Sequence, residues 1–215
     1  MVNMNYKVID IENWDRKKLF KMYTTSLKVV MNLTVEVDVS SVVKFAKQNN
    51  KKFYNCMIYI ISKAVNKREE FRYGLNEKGE LVLWDFVSPS YTDFDKETEK
   101  FNKFVTVYDS DFETFYNRIT KDREDNKGKT GFIENQPINA FDMTCLPWVH
   151  YKSFDMHVDC DTPMYFPIVS FGKYENIDGK FMLPLTINMH HALADGYHVS
   201  RFFSDVEEII KTDFI

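Results

Sequence analysis

Cysteine, proline and glycine are scarce in this sequence, which has 3 Cys, 6 Pro and 7 Gly among 215 residues. The cysteines, Cys56, Cys145 and Cys160, are odd in number and show no CxxC spacing, which argues against a disulfide framework or a structural zinc site. There is no Pro/Gly/Ser-rich linker and no repeat of about 20 to 50 residues. We therefore predict a single domain over residues 1–215 and a reducing location, the cytoplasm.

A strong excess of charge of either sign is also absent. The chain carries 28 basic and 32 acidic residues, a formal charge of -4, which argues against a general surface for nucleic acid or anionic membrane. A local basic patch for a phosphorylated cofactor remains open. The segment Met1–Trp14 has no apolar core of a signal peptide, and no hydrophobic run is long enough to cross a bilayer.

Apolar and aromatic residues are plentiful, at 44% and 16% of the chain, so the composition is that of a packed globular protein. Hydrophobic periodicity predicts helices at Arg16–Val29 with Asp15 as cap, from Ser40 or Ser41 through Ala46, at Phe53–Val65, at Asp109–Lys121 and after Gly196. It predicts strands at Leu81–Val87, Phe154–Asp159, Tyr165–Tyr174 and Phe181–Met189, and a loop at Asp122–Gly131. This order predicts an α+β sandwich of helices on a mixed sheet.

The segment His190–Gly196 lies between an apolar strand and an amphipathic helix, where a rigid scaffold can hold a reactive loop side chain. Because neutral histidine accepts a proton near pH 7 and can return it in the same turnover, His191 suits general base catalysis. Asp195 before Gly196 indicates a tight turn. Its carboxylate would either orient the histidine or pair with a distant cation.

Three other interpretations compete with a catalytic His191. The His190–His191 pair could be packed residues at a strand end, as many histidines are. His191 and Asp195 could share a metal, although no HExxH pattern or third ligand supports zinc. Cys145 near His150 could be a thiol nucleophile, although a cysteine in that apolar context is more often a small packed side chain.

The segment His191–Val199 reads HALADGYHV and resembles the signature HHAVCDGFHV of the trimeric type A chloramphenicol acetyltransferases. The shorter HxxxDG core also occurs in dihydrolipoamide acyltransferases, and further segments favour the first family. These are Asn13–Lys17, Lys52–Tyr54, Glu70–Arg72, Leu83–Asp85, Gly131–Asn135, Pro147–Val149 and Ser153–Phe154. The resemblance covers nearly the whole chain and implies a two-layer α+β sandwich of the CoA-dependent acyltransferase type, assembled as a homotrimer with active sites between subunits.

The resemblance also implies roles for five residues. His191 would deprotonate the acceptor hydroxyl, which attacks the acetyl-CoA thioester directly in a ternary complex. Thr144 stands at the position of the family's catalytic serine, and a threonine hydroxyl can still donate to the oxyanion. Asp195 and Arg16 would form a salt bridge that shapes the loop, and Ser170 would hold a water near the intermediate.

Substrate contacts follow from the same resemblance. Lys173, Tyr174 and Trp148 match positions that contact CoA, where a cation suits phosphate and an aromatic ring can stack on adenine. Pocket positions for the acceptor are matched by Tyr23, Leu27 and Val158. Acetyl-CoA would be a co-substrate, with no permanently bound cofactor and no metal.

Four residues near the expected pocket depart from the family pattern. Met22 and Met31 replace aromatic residues, Val29 replaces a frequent cysteine, and Asp142 replaces an asparagine two positions before Thr144. The leading prediction is O-acetylation of chloramphenicol. The differences motivate a second hypothesis, another small hydroxylated acceptor, and Thr144 motivates a third, a non-catalytic trimeric ligand-binding relative.

Overall fold

The computed structural model describes residues 5–132, 136–156, 158 and 163–214. Its α-helices are α1 Lys17–Lys21, α2 Ser40–Gln48, α3 Phe53–Asn66, α4 Phe112–Asp125 and α5 Gly196–Asp213. Its strands are β1 Tyr6–Val8, β2 Val30–Asp38, β3 Tyr73–Leu75, β4 Leu81–Trp84, β5 Ser88–Asp95, β6 Lys100–Val105, β7 Gly131–Phe132, β8 Ala140–Leu146, β9 Ile168–Gly172, β10 Glu175–Ile177 and β11 Lys180–His190. A π-helical turn, Met22–Ser26, continues α1, and 3₁₀ turns occupy Ile11–Asn13 and Glu69–Phe71.

Most strands of the described residues form one mixed sheet. Strand β11 pairs antiparallel with β2 on one edge and with β9 and β10 on the other, and β9, β8 and β5 are parallel neighbours. Strands β6 and β7 continue the sheet beyond β5, while β1, β4 and β3 form a separate small sheet. The predicted mixed α+β architecture is confirmed.

Helix α3 lies at the centre of the helical layer and is buried on most of its sides. Its residues from Asn55 to Ser62 are all buried, and it contacts α2, α4, α5 and strand β5. Helix α5 packs on β2, and α2 packs on β11. The helices predicted at Phe53–Val65 and after Gly196 are confirmed, because in both cases the apolar spacing corresponds to the buried surface.

The two faces of the sheet differ in chemistry. Since alternate residues of a strand share a face, the register brings Val35, Leu185, Phe171 and Cys145 to one side, and Tyr54 of α3 packs against the Phe171 ring there. The opposite face carries a row of four hydroxyl side chains from neighbouring strands. These are Thr34 on β2, Thr186 on β11, Ser170 on β9 and Thr144 on β8.

The strand predicted at Phe154–Asp159 is wrong over its described part, because residues 154–156 and 158 have no regular secondary structure. The Asn32 amide donates to the Phe154 carbonyl at 2.9 Å, and the Asn188 amide donates to the Met156 carbonyl at 3.3 Å. Side-chain amides therefore replace a strand partner. His157, Asp159 and Cys160 lie outside the described residues, as do Ile133, Glu134 and Asn135.

Helix boundaries also differ from the sequence prediction. The first helix ends at Ser26, before Val29, and Asp15 is not its cap, because Arg16 occupies the cap position without a capping bond. Ser40 lies inside α2, and its amide is capped by the Asp38 carboxylate at 3.0 Å. Helix α4 runs through Asp125, into the predicted loop, and the strand predicted at Leu81–Val87 stops at Trp84.

Candidate active site

His191 follows the last residue of β11 and is held by backbone contacts on both sides. Its amide donates to the Val29 carbonyl at 2.9 Å, which ties the loop to the start of β2. Its ring Nδ1 lies 3.0 Å from the Ala194 carbonyl oxygen. A carbonyl can only accept, so Nδ1 carries the proton and the neutral ring presents Nε2 as the unprotonated nitrogen.

Tyr23 stacks on the His191 ring, with centroids 4.2 Å apart and planes 15° from parallel. It belongs to the π-helical turn Met22–Ser26, and such turns occur frequently at functional sites. Two other predicted acceptor contacts, Leu27 and Val158, are exposed by 52% and 48%. Leu27, two residues before the Val29 carbonyl that accepts the His191 amide, is therefore open to a ligand or to another protein chain.

Arg16 joins the two ends of the His191 loop. Its guanidinium makes two hydrogen bonds to the Asp195 carboxylate, at 2.7 and 2.9 Å. It also donates to the carbonyl oxygens of Ala192 at 2.7 Å and His191 at 2.9 Å. The hydrogen bonds from Arg16 are the main cause that lowers the pKa of the Asp195 carboxyl. Asp195 therefore pairs with a distant cation, and its carboxylate also lies 3.4 Å from His191 Nδ1.

His198 and Glu70 extend this arrangement; both belong to motif segments of the sequence, but neither was predicted to have a role in the site. The Asp195 amide donates to His198 Nδ1 at 3.0 Å, and His198 Nε2 lies 3.3 Å from a Glu70 carboxylate oxygen. His198 therefore accepts a backbone proton at the first turn of α5. The HxxxDGxH spacing was the available signal, since it places His198 three residues after Asp195.

His190 is a packed histidine, in contrast to its neighbour. It is 8% exposed, it accepts the Ala192 amide at Nδ1, and its ring meets the edge of Tyr165. Burial, with a smaller contribution from His191, lowers the pKa of its imidazole. The interpretation of a packed strand-end histidine therefore fits His190.

A cavity of about 820 Å³ opens at the ends of β8 and β9. Four residues predicted from the resemblance line it, namely Thr144, Trp148, Lys173 and Tyr174. Aromatic rings dominate the remaining wall, which includes Phe53, Tyr54, Phe94, Phe101, Phe154 and Phe171. Trp148 is 61% exposed and meets the edge of Phe94, so an aromatic surface is presented at the cavity.

Thr144 and Ser170 are adjacent on β8 and β9, since the register pairs them directly. Ser170 is 3% exposed, and its backbone carbonyl accepts the hydroxyl of Tyr151 at 3.0 Å. Asp142 is on the same strand face as Thr144 and is paired with Lys103. The extra carboxylate noted from the sequence therefore has a cation beside it.

His191 does not belong to the lining of the Thr144 cavity. The register places Thr144 beside Ser170, and Ser170 beside Thr186 on β11. Thr186 precedes His191 by five residues, which is about 17 Å along an extended strand, with two strand spacings of about 4.8 Å across the sheet. The structure therefore brings Thr144, Ser170, Lys173, Tyr174 and Trp148 together at one place and His191, Tyr23, Arg16 and Asp195 at another.

The chemistry of the competing interpretations finds little support in the geometry. Burial raises the pKa of the Cys145 thiol to about 12, which disfavours the reactive thiolate. Both ring nitrogens of His150 are engaged by other groups, the Lys173 carbonyl and the Glu36 carboxylate. Among the residues that the structure describes, no cluster of three or more His, Cys, Asp or Glu side chains could hold a metal ion.

Comparison with known proteins gives consistent relatives. A sequence profile described as chloramphenicol acetyltransferase matches residues 4–207. The chain is 35% identical to a chloramphenicol acetyltransferase of Clostridium perfringens over 208 residues, covering 96% of this chain and 95% of the relative. It is 34% identical to one of Staphylococcus aureus, with 97% of both chains covered.

Solved structures share the fold. A chloramphenicol acetyltransferase superposes with a TM-score of 0.82 at 24% identity, covering 97% of this chain and 99% of that one. The dihydrolipoamide acetyltransferase of Azotobacter vinelandii gives a TM-score of 0.64 at 14% identity, covering 91% and 86%. The profile match and the sequence identity over almost the full length show that this chain belongs to the chloramphenicol acetyltransferase family.

Proposed function

We propose that this protein transfers the acetyl group of acetyl-CoA to a hydroxyl group of chloramphenicol and thereby inactivates the antibiotic. Curated relatives at 34% to 36% identity over nearly the whole chain carry the name chloramphenicol acetyltransferase. The observation that carries the proposal is the bond from His191 Nδ1 to the Ala194 carbonyl. It leaves Nε2 as the nitrogen that can take the acceptor's proton.

The reaction is a direct transfer without an acyl-enzyme. His191 Nε2 takes the proton of the acceptor hydroxyl while its oxygen attacks the thioester carbonyl carbon. The tetrahedral intermediate collapses, the carbon–sulfur bond breaks, and the CoA thiolate receives the proton back from Nε2. Tyr23 stacking and the Ala194 carbonyl hold the ring in one orientation during both proton transfers. General base catalysis of this kind contributes about 10²- to 10⁴-fold.

Thr144 supplies the hydrogen bond to the oxyanion in this proposal. It lines the cavity at the end of β8, and a threonine hydroxyl can turn its proton toward a developing negative charge. Ser170, its neighbour across the strand pair, holds a water near the same position. No permanently bound cofactor takes part, since acetyl-CoA is consumed as a co-substrate.

The cavity of about 820 Å³ holds acetyl-CoA. Lys173 offers a cation for phosphate, and Tyr174 and Trp148 offer aromatic surface for the adenine or the pantetheine arm. Tyr174 is itself held between the edges of Phe53 and Phe181. In the proposal, the thioester reaches Thr144 at the inner end of this cavity.

The active site is shared between subunits of a homotrimer. Within one chain five residues of β11 and two strand spacings separate His191 from Thr144, whereas reacting groups must lie about 3 Å apart. His191 of one subunit therefore works with Thr144 of the next. The expected assembly has three times the 25.6 kDa mass of one chain, which light scattering after size exclusion measures. A monomeric mass would contradict the shared site.

Tyr23, Leu27 and Val158 form the acceptor pocket at this interface. Leu27 and Val158 are about half exposed in one chain and would be covered by chloramphenicol and the neighbouring subunit. Met22, Val29 and Met31 make the wall less aromatic than is usual in the family, so we test other small hydroxylated acceptors in the same panel. A clear preference for one of these over chloramphenicol would replace the proposed acceptor.

We further propose that residues 1–215 act as one domain in the cytoplasm. The buried apolar residues form one contiguous cluster. Cys56 and Cys145 are free thiols, as expected in a reducing compartment. None of the described helices is long and apolar enough to cross a membrane.

The direct test follows free thiol released from acetyl-CoA by the purified protein, with and without chloramphenicol. We expect antibiotic-dependent release, and a loss of about a hundredfold or more in His191→Ala, because the base is removed. His190→Asn is the matched control, since it changes the adjacent packed histidine while its amide oxygen can still accept the Ala192 amide in place of Nδ1. Absence of release from the unmodified protein with chloramphenicol would contradict the proposed function.

A further inference from the structure

The pairing of β11 with β9 and β10 is interrupted at Lys173 and Tyr174, which lie between those two strands. Leu185 pairs with Phe171, whereas Met182 pairs with Glu175, so the register shifts by one residue between β9 and β10. Pro184, which lies in this interval, has no amide proton to donate to a ladder. The result is a bulge of one extra residue, and bulges next to active sites redirect side chains.

The turn after β8 takes over the backbone groups that the bulge releases. The Lys173 amide donates to the Val149 carbonyl at 2.8 Å, and His150 Nδ1 donates to the Lys173 carbonyl at 3.0 Å. Gly172 permits this approach, since a Cβ at that position would lie 2.7 Å from the Val149 oxygen. His150 thus completes, from a side chain, the pairing that a neighbouring strand would otherwise provide.

The other ring nitrogen of His150 fixes the direction of the imidazole. Nε2 lies 2.9 Å from a carboxylate oxygen of Glu36 on β2, and the His150 side chain is 12% exposed. Both partner atoms accept, so both bonds form together only in the doubly protonated ring. The ring therefore connects β2 to the bulge, with its plane set by two partners distant in sequence.

We propose that His150 is a positioning residue for CoA, which holds the Lys173–Tyr174 bulge so that both side chains face the cavity. The inference rests on the proposed function, because it takes the cavity as the acetyl-CoA site. His150 itself does not line that cavity. Its loss should therefore weaken CoA binding while leaving His191, Thr144 and the acceptor pocket unchanged.

Two substitutions test the contributions of the two ring nitrogens of His150 separately. In His150→Asn the side-chain amide nitrogen takes the place of Nδ1 and can still donate to the Lys173 carbonyl. In His150→Gln the amide nitrogen takes the place of Nε2, so Glu36 keeps a donor while the Lys173 carbonyl loses one. We expect His150→Gln to raise the KM for acetyl-CoA about fivefold, as the loss of one hydrogen bond predicts, and His150→Asn to stay near the unmodified value.

The expected pattern includes unchanged kcat and unchanged KM for the acceptor in both variants. A fall in kcat, a parallel rise in both KM values, or equal effects of the two substitutions would overturn the role assigned to His150. Calorimetric binding of CoA to the same proteins needs no turnover and should show the same fivefold difference. Binding without turnover in the unmodified protein would refute the proposed function alone, and no CoA binding would refute both.

Discussion

Subunits that carry His191→Ala and subunits that carry Thr144→Ala should restore each other's activity in mixed trimers. The strand register separates the two residues by about 17 Å along β11 and by two strand spacings. Each site of a cyclic trimer would then take its histidine from one subunit and its threonine from the next. A site is intact wherever a Thr144→Ala subunit supplies His191 to a His191→Ala subunit.

The size of the recovery follows from the symmetry of the assembly. Random assembly of equal amounts gives each ordered pair of subunits the same frequency, so about a quarter of the interfaces carry both functional residues. The mixture should therefore regain about a quarter of the unmodified rate, whereas each variant alone stays low. The two proteins are unfolded together in denaturant, refolded, and assayed for chloramphenicol-dependent thiol release.

A second mixture checks the arithmetic independently. Unmodified subunits diluted equally with the double variant should retain about a quarter of the full rate if sites are shared, and about half if each chain holds a complete site. A mixture of the two single variants that is no more active than their mean would refute the shared site. Retention of half the activity in the dilution experiment would refute it as well.

Three further outcomes are expected. Thr144→Val keeps the shape and removes the hydroxyl, and it should lower kcat about 10²- to 10³-fold with little change in KM. Thr144→Ser keeps a hydroxyl and should stay within about tenfold of the unmodified rate. Equal rates for the two variants would contradict the role of Thr144 as hydrogen-bond donor to the oxyanion. Arg16→Lys should lower kcat, and it should lower the free energy of unfolding by about 1 kcal/mol in thermal or urea unfolding. The reason is that a lysine cannot reproduce the paired bonds to Asp195, whose side chain is 39% exposed. An unchanged kcat would argue against a role of the salt bridge in shaping the loop. Burial lowers the pKa of His190, so the unfolded chain binds its proton more readily, and the free energy of unfolding should decrease as the pH falls below about 6.5. His190→Gln should weaken this pH dependence in urea titrations at successive pH values. An unchanged pH dependence of the free energy of unfolding in this variant would contradict the prediction.

The helices that form the core were predictable because their signals are local. Helix α3 is apolar on nearly all sides, and α5 repeats apolar residues at helical spacing, so the pattern in the sequence is the pattern of burial. Ends were less predictable. The first helix changes to a π-helical turn at Met22, where Tyr23 packs against the distant His191 ring, a contact that the local sequence does not indicate.

The segment around Phe154 shows why alternation can mislead. Apolar and polar residues alternate there as in a strand, but the backbone carbonyls of Phe154 and Met156 are satisfied by amide side chains of Asn32 and Asn188. In this irregular segment Phe154 and Met156 are partly buried and Asp155 between them is exposed, so the alternation does not require a strand. The sequence contains no local indication of partners more than 30 residues away, which decide between the two structures.

The loop of the candidate site could be predicted from the sequence, but the distant residues that hold the site in place could not. The His191 loop and its link to Arg16 follow from a contiguous motif and a matching position near the start of the chain. His150 and Glu36 form no motif, since 114 residues separate them and their bond exists only after β2 and the turn after β8 are in place. Glu70 and His198 meet in the same way across the fold.

The two faces of the main sheet differ in how substitutions on them affect the protein. Substitutions among the apolar residues toward the helices, such as Leu185 or Phe171, remove packing and would reduce the amount of folded protein. On the other face Ser170 and Thr186 are buried as well, whereas Thr144 is only partly buried, so a substitution at Thr144 costs less in folding. Variants at Thr144 would remain folded and abundant with altered turnover, so selection on the rate can act at this position while the core stays constant.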